Sequence, residues 1–366
     1  MKAYLRNISF RMSFQYGCYQ FMDHFFGRER SFKLNEKGRR KFYNKLHDQL
    51  KKSGEGSITP VDRVKDLSFK DFRNNYQKKG IPVILEGAAK SWSCTQSWSL
   101  DYFKDLHGKD EIVMVDQAHM GDGEKGDGQF VEQLTLAEVI DGIKKGKGKY
   151  YRFYPLLERH PEHLKDFDYK WIRKRRNRMT WFEAFQVFIG GANSETPLHN
   201  ANQSNLFVQV YGEKEWMLYP NYYASVIDPS PIRNVYRGAP YKLESGPFDP
   251  FYPNFDTPYT LFKYIDGYSV HLKPGDVLWN PPFWWHAVKN VGDSIGVGYR
   301  WLAPWEAFKM APLYFFLDLC ATKPPIWKSF KLYKKDINLI HLAEFNKLDE
   351  YLAKKEKEKL ALESAD

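Results

Sequence analysis

The 366-residue chain is 43 % hydrophobic and 27 % charged, which excludes wholesale disorder and collagen-like structure and allows one large domain with extensions or two smaller ones. Its three cysteines, Cys18, Cys94 and Cys320, form no CxxC pair, which argues against a disulfide framework or a thiolate zinc site and for a reducing, cytoplasmic setting. The net charge of +10 is local: residues 1–60 hold 13 Lys/Arg against 5 Asp/Glu, and the other 306 residues hold 42 against 40.

In chain order, Leu5, Ile8, Met12, Tyr19, Met22 and Phe26 recur at helical spacing, with Lys2, Arg6 and Arg11 beside them. This pattern predicts an amphipathic helix. It is open to four roles: a membrane-surface helix through residues 1–30, a transit-peptide-like segment for mitochondrial targeting, a nucleic-acid arm, or a helix packed on the domain or a second subunit. No run of about 18 apolar residues exists to span a bilayer. Lys51–Pro60 (KKSGEGSITP) is expected to be a linker. Ser68–Lys78 is predicted helical, with Ser68 as N-cap and Phe69, Phe72 and Tyr76 on one side. Ile81–Leu85 and Glu111–Val115 are predicted strands, Trp98–His107 a helix, and Gly121–Gly128 a loop. Lys170–Arg178 (KWIRKRRNR) packs six basic residues into nine and is expected as a solvated loop in preference to a patch for an acidic partner.

From Trp181 to Trp301 the pattern is β-rich. Phe185–Ile189, Leu206–Tyr211, Glu215–Tyr219 and Gly296–Trp301 are apolar, β-branched and aromatic runs bounded by turn residues. Gly212-Glu213 is expected to close a hairpin. Short strands without alternating helices predict a mainly β fold, a sandwich or jelly roll, with helical extensions. Ile337–Leu352 is predicted as a helix with Ile337, Phe345, Leu348 and Leu352 on one face. The expected domain limits are 1–60, 61–305 and 306–366.

Two of the ten histidines stand out by context. His199 follows Glu195-Thr196-Pro197-Leu198 at the start of a regular strand, and His286 ends Asn280-Pro281-Pro282-Phe283-Trp284-Trp285. A jelly roll can bring such distant residues to one barrel mouth, and imidazole suits iron among other transition metals. GIPVILEG, WSLDYF, ETPLHNANQSNLFVQVYGEKEWMLYP and LKPGDVLWNPPFWWHAV resemble, in order, the JmjC or cupin-like family of Fe(II)- and 2-oxoglutarate-dependent oxygenases, nearest the branch of the asparaginyl hydroxylase that inhibits hypoxia-inducible factor. The resemblance runs from about Val61 to Trp305. It implies a double-stranded β-helix, with His199 and His286 as metal ligands. Lys214, Thr196, Asn205 and Tyr151 would hold the co-substrate. The Lys214 match is chemically apt, since an ammonium pairs well with a dianion.

The family's third ligand, a carboxylate two residues after the first histidine, is missing: that position is Ala201. Asn202 belongs to the opposite face of a regular strand, Glu195 could reach in only if the turn folds back, and a position often Asn in the asparaginyl-hydroxylase branch is Gly298. Three functions remain open. Chloride at the position Ala201 vacates would make a halogenase. Water there would leave a two-histidine hydroxylase. Loss of iron would leave a non-catalytic cupin-like binding module. The resemblance also implies a homodimer through Ala311–Leu319 and Ile337–Leu352. With a nearly neutral central domain and no RNA-binding signature, nucleic acid ranks below a membrane or subunit partner. The resemblance does not name a substrate, small molecule or protein side chain.

Overall fold

A computed structural model describes residues 8–115, 130–146, 151–154, 156–181, 183–229, 236–238, 248–320, 342 and 347–363. Its strands run β1 (Ile58–Pro60), β2 (Arg63–Lys65), β3 (Val83–Glu86), β4 (Glu111–Val115), β5 (Phe130–Thr135), β6 (Tyr151–Tyr154), β7 (Glu183–Gly190) and β8 (Glu195–Ala201). They continue as β9 (Ser204–Tyr211), β10 (Lys214–Tyr219), β11 (Tyr236–Gly238), β12 (Gly267–Leu272), β13 (Val277–Asn280), β14 (Trp285–Asn290) and β15 (Ser294–Trp301). One sheet has the order β1-β12-β10-β14-β8-β11, the other β2-β3-β13-β9-β15-β7-β6, and β4-β5 forms a separate pair. From β7 to β10 and again from β12 to β15 the chain alternates between the two sheets at each strand, which is the winding of a double-stranded β-helix.

That winding corrects one expectation. Gly212, at φ +64°, does turn the chain between β9 and β10, but the two strands belong to different sheets. The turn crosses from sheet to sheet, and a Cβ on Gly212 would meet the Asp293 carbonyl oxygen, so the crossing is too tight for a side chain. Local sequence specifies a reversal there, and the partners are chosen by burial on both faces, since β9 is buried at seven of its eight residues.

Two further expectations change. The Lys51–Pro60 stretch ends in β1, which adds in parallel to the sheet edge through Ile58↔Gly267. Lys170–Arg178 is mostly helix, Tyr169–Arg175, opened by Asp168 accepting from the Trp171 amide. Arg175 is buried with its guanidinium 3.5 Å from the centre of the Trp171 ring, and Arg176 pairs with Glu183 at 3.1 Å. Charge density suggested a solvated segment, but the aromatic stack and the ion pair draw two of the cations inward. Ser68 caps as expected, by accepting from the Asp71 amide. Gly121–Gly128, Leu5, and Ile337 with Phe345 of the expected tail helix lie outside the described residues, and Leu348–Glu363 is helical.

Three helices precede the barrel: α1 (Phe10–Phe26), α2 (Arg28–Leu34) and α3 (Glu36–Ser53). Met12, Tyr16 and Tyr19 of α1 and Phe42, Leu46 and Leu50 of α3 share one core with Leu198, Tyr219, Phe283 and Trp285. Side chains alternate along a strand, so this core lies behind the strands that carry His199 and His286. The helix thus packs on the domain with its expected stripe only in part, for Phe26 stays 57 % exposed. Buried Arg39 holds the arrangement, donating to Asp23 at 3.1 Å and to Ser31 at 2.5 Å beneath the Tyr19 ring. All three cysteines are free thiols, and no helix among the described residues is long and apolar enough to cross a membrane.

Candidate functional site in the barrel

β8 and β14 lie side by side with His199 opposite His286, and the imidazole centres are 4.1 Å apart. A register shift follows: Thr196, three residues before His199, faces Val288, two residues after His286. This bulge sets Thr196 and His199 on the same face, which strict alternation would forbid. Each imidazole is oriented by its own strand, since His199 Nδ1 lies 2.8 Å from the Pro197 carbonyl and His286 Nδ1 lies 2.9 Å from that of Trp284. A carbonyl only accepts, so both Nδ1 atoms carry the proton and the lone pairs fall on Nε2, the tautomer a metal ligand needs. Both rings are buried, and Trp216 of β10 stacks on His286 at 5.5 Å.

Lys214 and Trp216 alternate inward from β10. The Lys214 ammonium donates to Asn290 and, at 2.7 Å, to Ser294, and Asn290 is itself held by Ser194 at 2.7 Å. Burial pulls the Lys214 pKa down to about 7, because no solvent supports the cation. Gly296 makes room for this side chain: a Cβ there would lie 3.2 Å from Lys214 Cε and far inside contact distance of Phe207. Asn205 projects from β9 opposite Asn280. At Gly298, on the adjacent β15, a Cβ would lie 3.1 Å from Asn205 Oδ1, so an Asn at that position would compete with Asn205 for the same space.

Thr196 Oγ1, both amide atoms of Asn205, the Trp216 indole nitrogen and Asn280 Oδ1 are buried without a hydrogen-bond partner. A buried polar atom left unpaired costs about 1–3 kcal/mol. Several such atoms on the strands beside one buried ammonium form a cradle for a polar, anionic molecule. The donor set therefore fits a dicarboxylate such as 2-oxoglutarate. Trp216 and Asn280 were not singled out in the sequence; their inward positions at period two from Lys214 and Leu278 were the available signal.

The candidate metal donors on these strands number two. Ala201 faces Tyr236, and its carbonyl accepts the Phe283 amide at 2.8 Å. Asn202 turns away and donates to buried Asp318 at 2.9 Å. Glu195 is exposed and lies 3.7 Å from Lys289, so it does not fold back. Among the described residues, the one group of three His, Cys, Asp or Glu side chains close enough to share an ion is His107, His160 and Glu162, which lies outside these strands. Tyr151 sits in β6 opposite Ile189, and its side chain lies outside the described residues. A groove of 340 Å³ between α1, Tyr222 and Tyr314 is separate from the histidine pair.

Comparison with known proteins decides the family. A model of the cupin-like domain matches residues 69–307. The chain belongs to the cupin-like (JmjC) family. It is 23 % identical over 252 residues to the Lysine-specific demethylase JMJ30 of Arabidopsis thaliana, covering 66 % of this chain and 54 % of that protein. It is 24 % identical over 248 residues to Lysine-specific demethylase 8 of Xenopus tropicalis, covering 67 % and 53 %. It is 25 % identical over 247 residues to the human Bifunctional peptidase and (3S)-lysyl hydroxylase JMJD7, covering 60 % and 76 %. The chain thus spans about half the length of the two demethylases. The matched relatives include proteins named as demethylases and one named as a hydroxylase.

Proposed function

We propose that this protein is an Fe(II)- and 2-oxoglutarate-dependent oxygenase-type enzyme whose metal is held by His199 and His286 alone. The observation that carries the reading is the cradle of partnerless buried atoms on Thr196 and Asn205 beside the Lys214 ammonium. When bound, iron and 2-oxoglutarate would supply oxidation of a substrate C–H bond by dioxygen, with the co-substrate decarboxylated to succinate. Lys214 pairs with the distal carboxylate, and its charge is restored by that anion. Thr196 and Asn205 hydrogen-bond the same molecule and fix its orientation. The Pro197 and Trp284 carbonyls hold both imidazoles in the ligating tautomer. Ala201 leaves open the position that a carboxylate would fill, for water or a halide.

The test is anaerobic titration of the protein with Fe(II) and 2-oxoglutarate. A charge-transfer absorbance band supports the reading, and its loss in His286→Ala ties it to this site. Binding of 2-oxoglutarate without metal uptake or band would overturn the enzyme and leave a cupin-like binding module, the second reading that Ala201 favours. Succinate with a hydroxylated product, indifferent to chloride, identifies hydroxylation; a chloride-perturbed band with a halogenated product identifies halogenation.

We further propose a homodimer. Phe21 and Phe25 of α1 and Phe316 of the helix Pro312–Leu319 are exposed and adjacent, with Phe21 stacked on Phe316 at 6.3 Å. An exposed aromatic cluster of this kind favours a covering surface, and a second copy brings the same patch. Light scattering should give twice the chain mass, halved by Phe316→Glu. A monomer that binds anionic vesicles would assign the face to a membrane instead.

A further inference from the structure

A second cluster of histidines lies at the end of the helix Leu100–His107 and in the turn His160-Pro161-Glu162 that opens the 3-10 helix Pro161–Asp166. Its protons can be placed from the hydrogen bonds. Asp110 accepts from the Tyr154 hydroxyl at 2.7 Å and lies 2.9 Å from His160 Nε2, so Nε2 carries the His160 proton and the lone pair is on Nδ1. Asp166 accepts from the Trp98 indole at 2.9 Å and lies 2.9 Å from His163 Nδ1. His163 therefore presents a lone pair at Nε2, which lies 2.8 Å from His107 Nε2. That short contact requires a proton, and His107 must supply it, so the His107 lone pair is also on Nδ1.

Glu162 lies beside this pair. Its carboxylate oxygen is 3.6 Å from His160 Nδ1, and ligand atoms of His107, His160 and Glu162 all lie within 4.8 Å of one another. The two imidazoles stack with centres 3.6 Å apart and planes 20° apart. Two nitrogens of a tetrahedral zinc ion are about 3.3 Å apart at bond lengths of about 2.05 Å, so to share one ion the rings must leave their stack and turn their planes toward it. Each histidine is also backed in the manner of metal ligands, His160 by a carboxylate and His107 through His163 by another.

We propose that His107 Nδ1, His160 Nδ1 and Glu162 form a second metal site, taking a divalent transition ion of the zinc class with an open position toward solvent. Two imidazoles and a carboxylate suit zinc, cobalt or nickel, and are too rich in nitrogen for calcium or magnesium. The ion would tie the end of the Leu100–His107 helix to the 160–162 turn, where the helix dipole favours a cation. This site is independent of the barrel pair and of any activity there. In sequence, His160-Pro161-Glu162 is an H-x-E step whose partner lies 53 residues earlier, a separation that hides the cluster.

The test uses the full chain, stripped with chelator, carrying His199→Ala and His286→Ala so that the barrel pair contributes nothing. Cobalt(II) should bind one per chain with the visible bands of a tetrahedral ion, and zinc should displace it. Glu162→Gln, at an exposed position that leaves folding intact, should weaken zinc at least about tenfold, and His160→Ala should abolish binding. Zinc should raise the melting temperature of the parent and not of Glu162→Gln. Nitrogen-15 spectra of the metal-free protein should show His107 and His160 with the proton on Nε2. Absence of a bound ion in the barrel-deleted background, zinc affinity unchanged by Glu162→Gln, or a proton on His160 Nδ1 making only an ion pair with Glu162 would each overturn the site.

Discussion

The Phe283 amide donates to the Ala201 carbonyl at 2.8 Å, so the segment leading into His286 is clamped to the end of the strand that carries His199. Phe283 has φ +61°, a left-handed conformation that is unfavourable for a bulky residue, and its ring is wholly buried. The surrounding packing holds this backbone in place and with it the spacing of the two imidazoles. Adding a carboxylate beside this clamp tests whether the position is a ligand site. Ala201→Asp should tighten Fe(II) binding by about tenfold or more, about 1.4 kcal/mol, read by anaerobic titration, with the charge-transfer band retained. Unchanged affinity would mean that residue 201 does not face the metal.

Lys214 links pH to the co-substrate. Burial holds its pKa near 7, below the ordinary lysine value, so between about pH 7 and 10 the unfolded chain binds more protons there than the folded one. The contribution of this group to stability therefore rises with pH across that window. A dianion beside the ammonium raises the pKa again, so binding 2-oxoglutarate at pH 8 should take up nearly one proton, and at pH 6 close to none. Calorimetry in buffers of different ionisation enthalpy measures this uptake. Lys214→Met should abolish it and should flatten the pH dependence of the melting temperature between pH 7 and 10.

Part of the candidate barrel site was legible because its residues sit in short runs: the ETPLH and PPFWWH blocks each carry a histidine, and the family resemblance supplied Lys214. The bulge beside Thr196 was not legible, because it depends on how β8 registers against β14. The Gly212 turn was read as a hairpin because a two-residue reversal looks the same whether the next strand pairs or crosses to the other sheet. Arg175 was hidden by its charged neighbours, since a count of cations does not show which one stacks on Trp171. The Lys51–Pro60 stretch looked like a linker because β1 gains its structure from a strand some two hundred residues away.

Thr196 separates stability from binding. Its hydroxyl is buried and partnerless, so it costs the ligand-free protein about 1–3 kcal/mol. Thr196→Val keeps the shape and removes the hydroxyl. The ligand-free variant should be at least as stable as wild type, by up to about that amount, while its affinity for 2-oxoglutarate falls. Thermal melts with and without the ligand measure both effects in one experiment. A variant that is destabilised without ligand and binds 2-oxoglutarate normally would mean that Thr196 serves packing alone.

Arg39 tests whether the N-terminal helices buttress the barrel. Its guanidinium is 1 % exposed, paired with Asp23 of α1 and placed 4.7 Å from the Tyr19 ring centre. Removing one member of a buried pair costs about 3–5 kcal/mol, here toward the lower end because Arg28 also lies 3.9 Å from Asp23. Arg39→Ala should therefore lower stability by that amount, whereas the combined Asp23→Leu, Arg39→Met change should recover most of it. Because α1 and α3 share a core with Phe283 and Trp285, the loss should reach the histidine strands. Hydrogen exchange at the amides of β14 should accelerate in Arg39→Ala and return toward wild type in the double variant. If exchange rises only in α1 and α3, the helices are a separate cooperative unit and do not support the site.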